Sequence, residues 1–145
     1  MTRFLLDVNV LVAMHVPDNR DHQRALRWFE RIGSRSFATC AITEAGFVRV
    51  CSLLKVKDGP INFDEFQIAL ETYASSPGHI YWPMDISFLA ATEPFGPRMH
   101  GRGQITDAFL LGLARHHGGV LATMDRATLH LAGEELSGLV EILPT

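Results

Sequence analysis

The sequence predicts a three-layer α/β/α domain built on a mainly parallel central sheet. Three observations predict it: short apolar runs of strand length, longer stretches with helical periodicity between them, and Gly or Pro clusters that punctuate the alternation. Strands this short and this continuously apolar are covered on both faces. The crossovers that join them should be right-handed.

Residues 4–8 form the first such run. A short helix over 10–14 follows, with Asn9 in position to cap it, and Pro17-Asp18-Asn19 makes a turn. From Asp21 to about Arg31 the pattern is amphipathic. Ala25, Trp28, Phe29 and Ile32 face the core, Arg24, Arg27 and Arg31 face water, and Gly33 ends the segment. Residues 37–40 read as a second strand and 43–54 as a helix, after which Gly59-Pro60 breaks the chain. Asn62 caps a helix that runs to Ser75, with Phe63, Phe66, Leu70 and Tyr73 inward. A turn at Pro77-Gly78 leads to a third strand at 79–82 and a short helix over 85–91.

The stretch 92–103 contains Pro94, Gly96, Pro97, Gly101 and Gly103, so it reads as a loop. An apolar helix over 104–117 ends at Gly118-Gly119. A fourth strand at 120–123, a helix through Met124-Asp125-Arg126 to Ala132, and a last strand at 139–143 complete the alternation.

A chain of 145 residues suits one domain, taken here as 1–145, with enough length to bury a core. Its 47% hydrophobic and 20% charged residues are ordinary for a globular protein. No apolar run approaches the ~20 residues that span a bilayer. Asp7 falls too early for a secretory signal, so a cytoplasmic protein with no membrane role is expected. Cys40 and Cys51 match no zinc spacing and read as buried thiols. A net charge of −3 attracts no nucleic acid globally; such a partner needs a local basic patch or a bridging cation.

The helix at 104–117 carries the first chemical signal. Asp107 shares a helical face with Leu110, Leu111 and Ala114, where a lone carboxylate is costly. Thr106 is the better-placed cap, which leaves Asp107 with spare charge. Glu44 repeats the pattern beside Phe47, Val48 and Cys51. Asp7 ends the first strand and Asp125 follows the fourth. An open α/β sheet binds ligands at the carboxyl ends of its strands, and all four acids fall there.

Carboxylates crowded together repel unless a cation neutralises them. Oxygen donors without a His or Cys cluster select Mg²⁺ or Mn²⁺, ions that polarise a phosphodiester and acidify water. Two other readings stay open. Asp7 could be the nucleophile of a phosphatase or phosphotransferase, through an aspartyl-phosphate. Alternatively, the acids of a non-catalytic binding module could merely cap helices.

Leu5-Leu6-Asp7-Val8-Asn9-Val10-Leu11, Ile42-Thr43-Glu44-Ala45-Gly46-Phe47, Ile105-Thr106-Asp107-Ala108-Phe109-Leu110 and Leu121-Ala122-Thr123-Met124-Asp125-Arg126 resemble, in order and separation, the motifs of PIN-domain ribonucleases. The whole chain resembles a VapC-type toxin of a type II toxin–antitoxin pair. The resemblance implies a PIN-like fold and Mg²⁺- or Mn²⁺-dependent endoribonuclease activity on RNA. It implies that Asp7, Glu44, Asp107 and Asp125 form the metal-binding acidic quartet, with Asn9 either supporting the metal or orienting Asp7, and Thr123 shaping the pocket. It also implies a VapB-type antitoxin and a homodimer. The family often carries an aromatic shortly after the last acid; here Ala127-Thr128-Leu129-His130 follow, so Asp125 is expected to reach an ion through water.

Arg49 borders the Glu44 stripe, where it either forks onto a phosphate or pairs with an acid. Arg98, His100 and Arg102 read either as guides for RNA phosphates or as a solvated loop. His116 and His117 suit a helix C-terminus, without a catalytic role. Trp28 and Trp82 read as core or interface.

Overall fold

A computed structural model describes residues 1–55 and 59–145. Five strands, β1 (Phe4–Leu6), β2 (Phe37–Thr39), β3 (His79–Tyr81), β4 (Val120–Thr123) and β5 (Val140–Ile142), form one sheet in the order β3-β2-β1-β4-β5. Every pairing is parallel, as the unbroken apolar runs predict. The chain winds outward from β1 to β2 and β3, then returns to lay β4 on the other side of β1. The β1/β4 boundary is therefore the topological switch point, where open α/β sheets place their ligands.

The described helices are α1 (Val8–His15), α2 (His22–Arg31), α3 (Ala41–Lys55), α4 (Phe63–Ala74), α5 (Phe88–Thr92), α6 (Ile105–His116) and α7 (Arg126–Ala132). Strand side chains alternate between two cores. Leu5, Ala38 and Leu121 pack with residues of α5, α6 and α7. Leu6, Phe37 and Ala122 pack with residues of α1 to α4. Two helical layers thus enclose the sheet, which is the three-layer arrangement expected. None of the described helices is long and apolar enough to cross a membrane.

Several local expectations are corrected. Asn9 does not cap the first helix. α1 starts two residues earlier, at Val8, and Asp7 is the cap, its Oδ1 accepting the Val8 amide at 2.7 Å. Thr106 caps nothing, because α6 begins at Ile105 behind Gln104, and no side chain bonds that terminus. Asn62 does cap α4, but Phe63 points away from the core and is 68% exposed. Ile32 lies beyond the end of α2 and is exposed too. Arg24 is not a solvated residue: its guanidinium donates to the Leu143 and Pro144 carbonyls and ties α2 to the chain end. Hydropathy assigns a residue to a face but does not register that a terminal carbonyl needs a donor.

The stretch 92–103 is more ordered than its Gly and Pro content suggests, with 3₁₀ turns over Glu93–Arg98 and Arg102–Gln104. Both cysteines are free and buried, as their spacing implied.

Candidate active site

Asp7 stands one residue beyond β1, buried beneath the rim of the sheet at 6% exposure. Its two oxygens are both engaged. Oδ1 caps α1, and Oδ2 accepts the Thr123 hydroxyl at 2.7 Å from the neighbouring end of β4. Burial pushes the Asp7 carboxyl above its ordinary range, the Thr123 and Val8 donors pull it back, and the charge of Asp125 pushes it further up. Asn9, one turn into α1, locks the same junction. Its Nδ2 donates to the Thr123 oxygen at 3.0 Å, and its Oδ1 accepts the Met124 amide at 3.2 Å. Thr123 also accepts the Asp125 amide at 3.1 Å. The hydroxyl of Thr123 is thus the hub that joins β1, α1 and the β4–α7 turn.

Asp125 is exposed and caps α7, accepting the Ala127 amide at 2.9 Å. The capping reading therefore holds for part of what Asp7 and Asp125 do. It fails for Asp107. That residue is the third of α6, caps nothing, and is partly buried. Burial first, then the charges of Asp7 and Asp125, push its carboxyl from 3.8 to about 6. Three aspartates from α6 and from the ends of β1 and β4 thus act on one another. Among the described residues, no Lys or Arg forms an ion pair with any of them.

Glu44, in the first turn of α3, lies at the same strand-end rim but is held differently. Its Oε2 accepts the hydroxyl of Thr39, the last residue of β2, at 2.6 Å. His79 Nε2 lies 2.8 Å from that same hydroxyl oxygen. A hydroxyl has one proton, and with it on Glu44 the assigned tautomer is His79 Nε2–H donating into Thr39. Burial lowers the His79 pKa, while the charge of Glu44 pulls it upward. Thr39 and His79 were missed from sequence; the parallel register that sets Thr39 against Tyr81 brings β3 alongside, and no local pattern announces it.

Arg49 is exposed and shares with Glu44 the wall of a cleft of about 720 Å³, otherwise lined mainly by Ala45, Val48, Leu53 and Tyr81. Arg98 is excluded as a phosphate guide. Its guanidinium donates to the Leu131, Ala132 and Pro94 carbonyls and closes the C-terminus of α7. Arg102 and His100 remain exposed. Trp28 and Trp82 are core residues.

The donors contributed by Asp7, Asp107 and Asp125 are all carboxylate oxygens, unpaired with any cation among the described residues, and this set fits a hard divalent ion. A His-containing cluster, not foreseen from the sequence, lies elsewhere. Among the described residues, Asp85, His116 and His117 are the one group of three or more ligating side chains whose donor atoms all fall within 4.8 Å of one another.

A fold of this topology, with acids gathered at the switch point, defines a class, and comparison with known proteins places the chain in it. The PIN-domain family matches residues 4–134. Ribonuclease VapC39 of Mycobacterium tuberculosis is 38% identical over 143 residues, spanning 96% of this chain and 98% of the relative. Ribonuclease VapC44 of the same organism is 38% identical over 125 residues, 86% of this chain and 87% of the relative. The solved structure of FitAB bound to an IR36 DNA fragment is similar in fold, with a TM-score of 0.64 at 18% identity over 89% of this chain and 90% of that one. The chain belongs to the PIN-domain family, among its VapC-type members.

Proposed function

We propose that this chain is a metal-dependent endoribonuclease, the toxin of a VapBC-type pair. One observation carries the reading: Asp107 is lifted to about 6 by burial and by Asp7 and Asp125, with no cationic side chain among the described residues paired to the three. Such a group favours a bound cation. Asp7, Asp107 and Asp125 would hold Mg²⁺ or Mn²⁺, with Glu44 completing the quartet across the rim. When bound, the ion supplies Lewis-acid polarisation of a phosphodiester and acidifies a neighbouring water. The chain's own residues do the positioning. Thr123 and Asn9 fix the Asp7 carboxylate, and Thr39 fixes one oxygen of Glu44 and leaves the other free to act. Arg49, beside Glu44 in the cleft, is suited to an RNA phosphate.

The relatives named ribonuclease VapC support the substrate and a VapB-type antitoxin as partner. Leu53, Leu54, Ile61, Phe63 and Ile68 expose apolar surface on α3, α4 and the segment between them, which supports a protein partner, the antitoxin or a second copy. A cytoplasmic site of action belongs to the same proposal.

The test is cleavage of defined RNAs with mapped ends, in Mg²⁺ or Mn²⁺. Asp7→Asn and Asp107→Asn should each lose roughly 100-fold or more of the metal-dependent rate, with circular dichroism unchanged. Wild-type activity in Asp7→Asn overturns the mechanism. Mn²⁺ should also raise the melting temperature of the wild type, but not of Asp107→Asn; equal response in both removes the ion from these acids.

A further inference from the structure

The C-terminal end of α6 carries a cluster that the proposed nuclease site does not use. His116 Nε2 and His117 Nε2 lie 3.2 and 3.1 Å from the same oxygen, Asp85 Oδ1. All three donor atoms fall within 4.8 Å of one another. A tetrahedral zinc with bonds of about 2.0 Å has ligands about 3.3 Å apart. The two nitrogen–oxygen separations match that edge.

We propose that Asp85, His116 and His117 form a second metal site, selective for a borderline transition ion such as Zn²⁺. Two imidazoles and one carboxylate suit Zn²⁺ and its neighbours in the first transition row, whereas Mg²⁺ and Mn²⁺ favour the all-oxygen set at the other end of α6. The two sites are separate. His116 lies nine residues beyond Asp107 along one helix, about 14 Å at 1.5 Å per residue.

The cluster is held in place by its surroundings. The His117 ring stacks on Trp82, with centroids 4.8 Å apart and planes at 17°. Trp82 is itself a core residue, 3% exposed. His117 Nε2 also lies 3.2 Å from the Pro83 carbonyl, so Nε2 carries a proton that metal binding would displace. His116 and Asp85 are 37% and 51% exposed, which gives an ion a path in and leaves a coordination position for water. An occupied site would tie the segment after β3 to the end of the helix that presents Asp107.

The test uses the untagged full chain carrying Asp7→Asn and Asp107→Asn, which removes the acidic site and makes the result independent of the nuclease reading. Calorimetric titration should find one Zn²⁺ per chain, and Co²⁺ should give the intense visible bands of a four-coordinate site. Adding His116→Ala or Asp85→Asn, both at exposed positions, should weaken Zn²⁺ binding roughly tenfold or more and abolish the Co²⁺ bands. The folded state of each variant is checked by its metal-free melting curve. No Zn²⁺ binding in this background, or equal affinity after His116→Ala, overturns the proposal.

Discussion

The Thr123 hydroxyl donates to Asp7 Oδ2 at 2.7 Å, across 116 residues of sequence and between the two strands that meet at the switch point. Thr123 is fully buried, and its oxygen also accepts from Asn9 and from the Asp125 amide. A buried carboxylate is tolerated at Asp7 because these donors and the α1 terminus satisfy it.

Thr123→Val keeps the shape and removes every one of these bonds. It should destabilise the fold by about 1–3 kcal/mol in urea denaturation and reduce metal-dependent cleavage. Thr123→Ser should recover most of both. A valine variant of wild-type stability would show that Asp7 finds its compensation elsewhere.

Asp107 makes stability depend on pH. Its folded-state pKa is raised from 3.8 to about 6, so between those values the folded protein holds more protons than the unfolded chain. The advantage of the protonated form is complete below about pH 4 and is lost as pH rises through about 6. Above that, the ionised carboxylate costs on the order of 1 kcal/mol once solvent screening is allowed for. Metal-free Asp107→Asn should therefore be more stable than wild type at pH 7.5, with the gap closing toward pH 4. A difference that does not vary with pH contradicts the assigned coupling.

Glu44 depends on Thr39 for its orientation, and Thr39 depends in turn on His79. Thr39→Val should lower kcat for RNA cleavage several-fold, about 1 kcal/mol of barrier, with KM little changed. Equal kinetics in Thr39→Val and wild type would leave the threonine a purely structural residue.

Gly112 sits where α6 crosses α5. A Cβ there would overlap the Ala91 carbonyl, a backbone group that cannot swing aside. Gly112→Ala should cost about 1–3 kcal/mol or more through overpacking, visible as a lower melting temperature. Since α6 carries Asp107, metal affinity should fall with it. An alanine variant with an unchanged melting temperature would mean the two helices separate freely.

Much of this protein is legible in one dimension. The alternation of apolar runs and helical periods carries the α/β class, because burial on both faces demands unbroken hydrophobic strands. The positions of Asp7 and Asp125 just past strand ends, and of Asp107 in the first turn of an apolar helix, also follow from local pattern. The motifs around them name the family. Errors in the reading cluster at helix ends. Asn9, Thr106 and Phe63 were misassigned because a cap depends on which residue first turns into the helix, and neighbouring candidates differ by less than tertiary contacts can override.

What only the tertiary structure decided are the relations between distant side chains. The parallel pairing of β2 with β3 brings the His79 side chain to the Thr39 hydroxyl, which in turn holds Glu44. The packing of α7 takes Arg98 out of any nucleic-acid role. The path of the chain after β3 delivers Asp85 to His116 and His117, a meeting that no spacing rule anticipates. Periodicity reports which face a residue occupies, since that depends on near neighbours alone. Partnership depends on where the fold returns the chain, and that is set by the packing of the whole core.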